Sequence, residues 1–390
     1  MNFKFTNLFY LLTLVLFIAS CSSDDSPKTP EVTIEKSDVI ENYATIVFAS
    51  YQEALADAED LEVAINAFTT TPTDANFTAA KDAWLVSRES YGQTEAFRFA
   101  NGPIDIDDDA PEGLINSWPL DENYIDYVEG NEDAGLINDA TTFPTITKVT
   151  LVEGNQPGTE EASVSIGYHA IEFLLWGQDT TDPSEILAGQ RPYTDFVDGG
   201  TASNQDRRRE YLDVCADLLT DHLQLMIDEW EVGGAYRTTI LAEDENTVLV
   251  NIITAIATLS KSELAGERMF VAYDNQDQED EHSCFSDNTH RDIRLNLAGI
   301  ANVYRGSYGT ISGDSLEDLI IETDAALGAE VSAQLAAAEA AVDATATPFD
   351  FAITDTAERV KVLAAVNALQ DLGDKLVEGG AALGLSITAE

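Results

Sequence analysis

At 390 residues the chain is long enough for two domains. Its 71 acidic residues against 20 basic ones set a net charge of −51, which excludes a nucleic-acid-binding surface, because phosphate neutralisation requires clustered Lys and Arg. The same charge concentrates cations near the protein and suits solubility in a saline medium, so it permits metal binding without implying it.

The N-terminus comes first. Lys4 precedes an apolar run from Leu8 to Ile18 that ends in Ile18-Ala19-Ser20-Cys21, the layout of a secretory signal peptide. The run falls short of the roughly 20 residues that span a bilayer, so residues 1–20 are read as a signal and not as an anchoring helix. Small residues leading into a cysteine resemble the bacterial lipobox, in which Cys21 becomes the lipid-modified first residue of the mature protein. Residues 21–32, which include Ser22-Ser23-Asp24-Asp25-Ser26-Pro27, read as a flexible tether. The expectation is an exported lipoprotein anchored in the outer membrane, facing either the periplasm or the cell surface.

Beyond the tether the pattern is helical nearly throughout. Windows run from Ser37 to Phe68, Thr73 to Ala100, Glu160 to Gly177 and Ser203 to Glu231 in the first part. Others run from Glu243 to Tyr273, Asn288 to Ser307, Ser315 to Val342 and Asp355 to Leu383. In the window ending at Glu231, Val214, Leu218, Leu219, Leu223, Leu225, Met226 and Trp230 recur mostly at three- and four-residue steps, as on a buried face. Thr73 and Thr354 read as N-caps. Ile146 to Val152 is β-branched but short and isolated. Two long loops, Asn101 to Gly130 and Pro183 to Ala202, flank the middle of the chain, and the second marks a plausible junction. The fold expected is all-α, two helical bundles covering residues 33–200 and 201–390. Cys215 and Cys284 remain after Cys21, and they could pair or stay buried and free.

The run Gly167-Tyr168-His169-Ala170-Ile171-Glu172-Phe173-Leu174-Leu175-Trp176-Gly177 carries the most chemistry. His169 and Glu172 stand three residues apart, on one helix face, where they can share a ligand. A helix this apolar is buried, and a buried Glu needs a cation or a hydrogen-bond network to compensate it. Farther on, Gln278 to Asp292 holds two of the four histidines. There Glu279, Glu281, His282 and His290 read equally as ligands or as parts of a solvated acidic turn. Asp287 and His290 repeat the carboxylate–imidazole spacing in reverse, while Asp280 and Asp292 read as turn residues. Trp84, Arg88, Tyr91 and Glu95 share a helix; Arg88 reads as a structural ion pair, Glu95 as a ligand. His222, on an apolar face, reads as structural.

The central run, Trp118-Pro119, Arg191-Pro192-Tyr193, Ser286-Asp287-Asn288-Thr289-His290 and Gly299-Ile300-Ala301-Asn302-Val303-Tyr304 together resemble the imelysin-like family, which includes the imelysin peptidases and iron-regulated protein A. The resemblance covers nearly the whole mature chain, and its G-x-H-x-x-E motif falls on Gly167, His169 and Glu172. It implies an exported or lipid-anchored two-bundle protein with the motif near the junction. Tyr91 and Glu95 also resemble a Tyr and Glu that precede the H-x-x-E helix in a related iron-uptake domain.

Proteolysis, which the family name implies, lacks a known motif here. There is no H-E-x-x-H, and Phe173 occupies the place of the second His of H-x-x-E-H. No G-x-S-x-G elbow occurs either. Carboxylates and imidazoles projecting into a helical bundle are a known solution for iron. The reading is therefore a metal-binding protein of iron acquisition, with iron or another divalent metal on His169, Glu172 and Glu95. Arg88, Glu279, Glu281, His282, Asp287 and His290 are further site candidates. Partners would be the membrane, the metal and iron-uptake components; a metallopeptidase using the same site is the alternative.

Overall fold

A computed structural model of the chain describes residues 33–389 apart from 107–109 and 159. The signal peptide and the tether, with the lipidation position Cys21, lie outside the described residues. The long helices are α1 (Lys36–Thr70), α2 (Asp74–Thr94), α3 (Tyr168–Trp176) and α4 (Gln205–Trp230), then α5 (Glu245–Thr258), α6 (Thr289–Arg305), α7 (Leu316–Thr323), α8 (Ala325–Asp343) and α9 (Arg359–Ala382). The fold is all-α, as the sequence predicts; a two-residue hairpin, Ser307–Tyr308 with Ile311–Ser312, is the strand pairing among the described residues.

The first bundle forms from α1, α2 and α4, with α3 laid against it. Tyr43, Val47, Tyr51, Leu61 and Ile65 of α1 are buried at helical spacing, and Thr73 caps α2 by accepting from the Asn76 amide. The placement of α4 differs from the expected boundary at residue 200. Thr69 of α1 donates to Asp213 at 2.6 Å, Thr220 donates to Glu62 at 3.0 Å, and Trp230 packs edge-on against Tyr43. The buried face of α4 thus belongs to the first bundle. Residues 34–390 form one compact unit with one continuous apolar core, so no break in packing coincides with residue 200.

The second bundle is built by α5, α8 and α9, with α7 beside them. After Thr258 the α5 helix widens into a π-helical stretch, Leu259–Phe270. A π turn advances fewer degrees per residue and re-aims side chains, which is why such segments gather at functional sites. Here it turns Glu263 and Arg268 toward the first bundle.

Helix α6 joins the halves by crossing α2 at glycines. A Cβ on Gly92 would lie 2.8 Å from the Leu295 Cβ, and one on Gly299 would strike the Gln93 carbonyl. This close approach brings Arg88 and Glu95 of α2 alongside Asp292 and Asn296 of α6.

Several local expectations are corrected. The helix foreseen from Glu160 begins only at Tyr168, because Gly167 turns the chain with φ +90°. Ile146 to Val152, too short and isolated to read as a strand, runs into the helix Lys148–Gly154, opened by a Thr147/Thr150 capping box. Thr354 does not cap the last helix, since it ends the short helix Phe349–Thr354 and bonds back to the Asp350 carbonyl. Cys215 and Cys284 are both buried and free.

Candidate functional site

All nine residues of α3 are buried, so the helix is held on every side. Its backbone is fixed by Trp84, whose Nε1 donates to the Tyr168 carbonyl at 3.0 Å. Just before the helix, Tyr211 of α4 donates to the Ser165 carbonyl at 2.6 Å. His169 Nδ1 lies 2.8 Å from Glu172 Oε2. The other oxygen, Oε1, accepts from the Ser286 amide at 3.0 Å and its hydroxyl at 2.6 Å. The network that compensates Glu172 is therefore supplied by the loop before α6.

A second imidazole stands in the same place. The ring centroids of His169 and His282 are 4.6 Å apart and nearly perpendicular, and His282 Nδ1 lies 2.8 Å from Asp292 Oδ2. Asp292 also accepts from Ser283 Oγ at 2.5 Å and from Arg88 Nη2 at 3.1 Å. Arg88 in turn donates to Asn116 at 2.5 Å and lies over the rings of Tyr168, Tyr91 and Trp84. Glu95 completes the cluster, accepting from Arg268 at 2.6 Å and pairing with Arg98 at 3.4 Å.

The titration behaviour follows from these partners. Burial, reinforced by the Arg88 charge, pushes His169 down to about 3. Burial and Arg268 do the same to His282, also to about 3. Both imidazoles are neutral at pH 7. Burial lifts Glu172 to about 8 against the Ser286 hydrogen bonds. For Glu95 burial is outweighed by Arg268 and Arg98, which hold it at about 2. Asp292 is driven well below the usual carboxylate range, since Arg88 and His282 overcome its burial.

With Asp292 ionised, the His282 proton belongs on Nδ1, and Nε2 presents a lone pair. His169 Nε2 is buried without a hydrogen-bond partner. With Glu172 ionised, His169 carries its proton on Nδ1 and leaves a lone pair at Nε2, whereas a protonated Glu172 donates from Oε2 to Nδ1 and strands a proton at Nε2; a metal at Nε2 therefore selects the ionised form of Glu172. A carboxylate on the far nitrogen of each ring is the arrangement that orients metal-ligating histidines.

Beside His282 opens a polar cavity of about 220 Å³, lined by Arg98, Glu112, Asn116, Trp118 and Glu263 among others. A larger depression of about 440 Å³ lies around Tyr127 and Pro192. It contains no histidine, and the chemistry favours the smaller cavity.

Of the residues expected at the site, His169, Glu172, Glu95 and His282 converge. Arg88 forms a structural ion pair as expected, but fully buried and with Asp292, through which it braces the site. His290 stands apart: its Nδ1 is taken up by the Asp287 carbonyl at 2.9 Å. Glu279 stays exposed beside Glu122. Glu281 and Asp287 are not among the residues that bond to the imidazole pair, and burial, with the nearby charges of Asp350 and Asp179, raises both. Asp292, read as a solvated turn residue, is corrected to a buried centre of the network. Arg98, Arg268, Asn116 and Glu263 went unmarked, as no motif links such distant positions.

The two buried imidazoles leave a pH signature. The native rings resist protonation to about 3, whereas in the unfolded chain they protonate near 6.5. Their contribution is therefore complete above pH 6.5 and declines as pH falls toward 3, by about 1.4 kcal/mol per unit per ring. In urea unfolding, the stability gap between wild type and His282→Gln should narrow by about 2 kcal/mol between pH 6.5 and pH 5. A gap independent of pH would contradict the buried neutral assignment.

The family model described as imelysin matches residues 47–376. Iron-regulated protein A of Synechococcus elongatus is 28% identical over 343 residues, spanning 85% of this chain and 82% of that protein. The crystal structure of a Parabacteroides distasonis protein, described provisionally as an iron-regulated protein A precursor, superposes with a TM-score of 0.70. Identity there is 18%, over 90% of this chain and 97% of the other, so the fold is shared. With a family model spanning most of its length and the G-x-H-x-x-E motif at the centre of its buried network, the chain belongs to the imelysin family.

Proposed function

We propose that the protein binds iron at the His169–His282 pair and serves iron acquisition as a lipid-anchored, exported protein. The observation that carries this reading is the pair itself: two neutral imidazoles with ring centroids 4.6 Å apart, each held at Nδ1 by a carboxylate. Rings ligating one metal lie roughly that far apart when their nitrogens are roughly 2 Å from it. Imidazole with carboxylate suits iron among other first-row metals. The names of the relatives, which speak of iron regulation, point the same way.

Among the described residues no three His, Cys, Asp or Glu side chains already surround one metal position. Glu95 is occupied by Arg268. Iron therefore meets two protein nitrogens, and water or oxygen atoms of its carrier supply the remaining positions, unless Glu95 leaves Arg268. Glu172 acts by orienting His169, a change from its sequence-based role as a ligand. Proteolysis fits less well. His169 and His282 are only 1% and 2% exposed, and a cavity of about 220 Å³ lies below the roughly 300–1,000 Å³ of ordinary ligand pockets.

The test is anaerobic titration of the purified protein with Fe(II). His169→Ala and His282→Ala should each weaken binding at least about 100-fold, and Asp292→Asn, which loosens the orientation of His282, about 10- to 100-fold. Tight binding that survives both histidine substitutions would remove the proposal. Anchoring is tested separately. Lipid chains contribute about 0.8 kcal/mol per buried methylene, so Cys21→Ala should move the protein from the membrane to the soluble fraction. Unchanged fractionation would reject the lipid anchor.

A further inference from the structure

Two guanidiniums, those of Arg191 and Arg208, share the buried carboxylate of Asp126, and they share it unequally. Arg208 of α4 sets Nε and Nη2 on the two oxygens of Asp126 at 2.6 and 2.8 Å, the side-on fork that matches a carboxylate. Arg191 reaches Asp126 through Nη1 alone, at 2.5 Å. Its Nε is buried and has no partner, and its Nη2 makes no hydrogen bond among the described residues. The edge that Arg208 sets on Asp126 therefore has no acceptor on Arg191. Asp195 does not supply one, since its oxygens accept from Tyr127 at 2.5 Å and from Thr201 at 2.6 Å.

Arg191 is 6% exposed and firmly placed. Its guanidinium carbon lies 4.8 Å from the ring centre of Tyr127 and 5.1 Å from that of Phe173, and its amide donates to the Trp176 carbonyl at 2.8 Å. It lines the depression of about 440 Å³ around Tyr127 and Pro192, a volume within the roughly 300–1,000 Å³ of ordinary ligand pockets. Gly177 lies in the same wall, and a Cβ there would stand 3.3 Å from Arg191 Nε. Glycine thus keeps open the space beside the unpartnered atom. Tyr127, Val128 and Pro192 give the depression an apolar surface, and Glu129 and Glu132 are exposed at its rim. Neither glutamate is in an ion pair among the described residues.

We propose that this depression binds a small zwitterion of the amino-acid class with an apolar side chain, at a site that shares no side chain with the imidazole pair. The ligand's carboxylate takes the Nε–Nη2 edge of Arg191 as Asp126 takes that of Arg208. Its ammonium faces Glu129 and Glu132, and its apolar part lies on Tyr127, Val128 and Pro192. A plain cation is a poorer fit, because it leaves the buried donor of Arg191 without an acceptor. A polyanion is poorer still, since it meets the acidic rim and the field of a chain with net charge −51. One carboxylate and one ammonium on a compact apolar body satisfy both ends.

Calorimetric titration of the purified protein with L-phenylalanine and L-leucine tests this. One saturable site per chain is expected for at least one of them, with a Kd of about 1 mM or tighter. Phenethylamine, which lacks the carboxylate, and 3-phenylpropanoate, which lacks the ammonium, should bind more weakly than L-phenylalanine, the first by at least about 10-fold. Arg191→Lys keeps a positive charge beside Asp126 but removes the fork, so it should weaken amino-acid binding by about 10-fold or more and leave the weak binding of phenethylamine unchanged. Glu129→Gln with Glu132→Gln, both on the surface, keeps the test open if the arginine variant does not fold. That pair should weaken L-phenylalanine by about 2- to 5-fold without weakening 3-phenylpropanoate. No saturable binding of either amino acid up to about 10 mM, phenethylamine binding as tightly as L-phenylalanine, or a folded Arg191→Lys protein that binds like wild type overturns the proposal.

Discussion

Replacing Arg88 by Met should cost about 3–5 kcal/mol of unfolding free energy, the penalty for stranding a buried carboxylate without its partner. Arg88 is 0% exposed, and its ion pair with Asp292 is inaccessible on both sides. The methionine would fill the slot between Trp84, Tyr91 and Tyr168 without supplying the charge. Asp292 would then rely on His282 and Ser283 alone. Adding Asp292→Asn to Arg88→Met removes the stranded charge and should recover a large part of the loss. The measurement is a double-mutant cycle by chemical denaturation, and strictly additive losses would show that the pair is not coupled.

Gly167→Ala should be nearly as damaging. Gly167 has φ +90° and ψ −172°, a region that is essentially glycine-only and costs about 1–3 kcal/mol for other residues. A Cβ would also meet the Ile115 carbonyl oxygen at 2.6 Å and that of Leu114 at 3.1 Å. Both carbonyls belong to the short helix Glu112–Ile115, whose C-cap is Asn116, the acceptor for Arg88, so relief of the clash would shift that turn. A combined loss of about 3 kcal/mol or more is expected, with a drop in Tm. A variant as stable as wild type would mean that the chain can enter α3 by another path. The first position of the G-x-H-x-x-E motif is on this account a steric requirement that lets the histidine follow immediately in a buried helix.

The legible parts of the sequence were those carried by local spacing. The His169–Glu172 pair, the boundaries of α1, α4 and α6 and the start of α2 follow from periodicity within one element, while α2 ends at Thr94, six residues short of the expected Ala100. Asp292 was misread because it sits in a charged run that looks solvated, while its partner Arg88 lies 204 residues away. Glu263 and Arg268 are five residues apart and meet Glu95 and Arg98 only because the helix there is π-wound. An α-helical reading places them on different faces. The boundary at residue 200 rested on a long loop, yet what joins α4 to α1 is side-chain packing and bonds such as Thr69 to Asp213, which a linear pattern does not display. Glu281 illustrates the same limit. Its acidic neighbours in sequence suggest solvent, whereas the fold leaves it 1% exposed.

The central claim is that His169 and His282 together hold a metal through their Nε2 atoms. The most direct measurement is an anomalous difference map at the iron edge from crystals exposed to Fe(II). The expected result is one peak roughly 2 Å from both Nε2 atoms, with the Nδ1 contacts to Glu172 and Asp292 retained. Iron found only on surface carboxylates, with the two imidazoles unliganded, would contradict it.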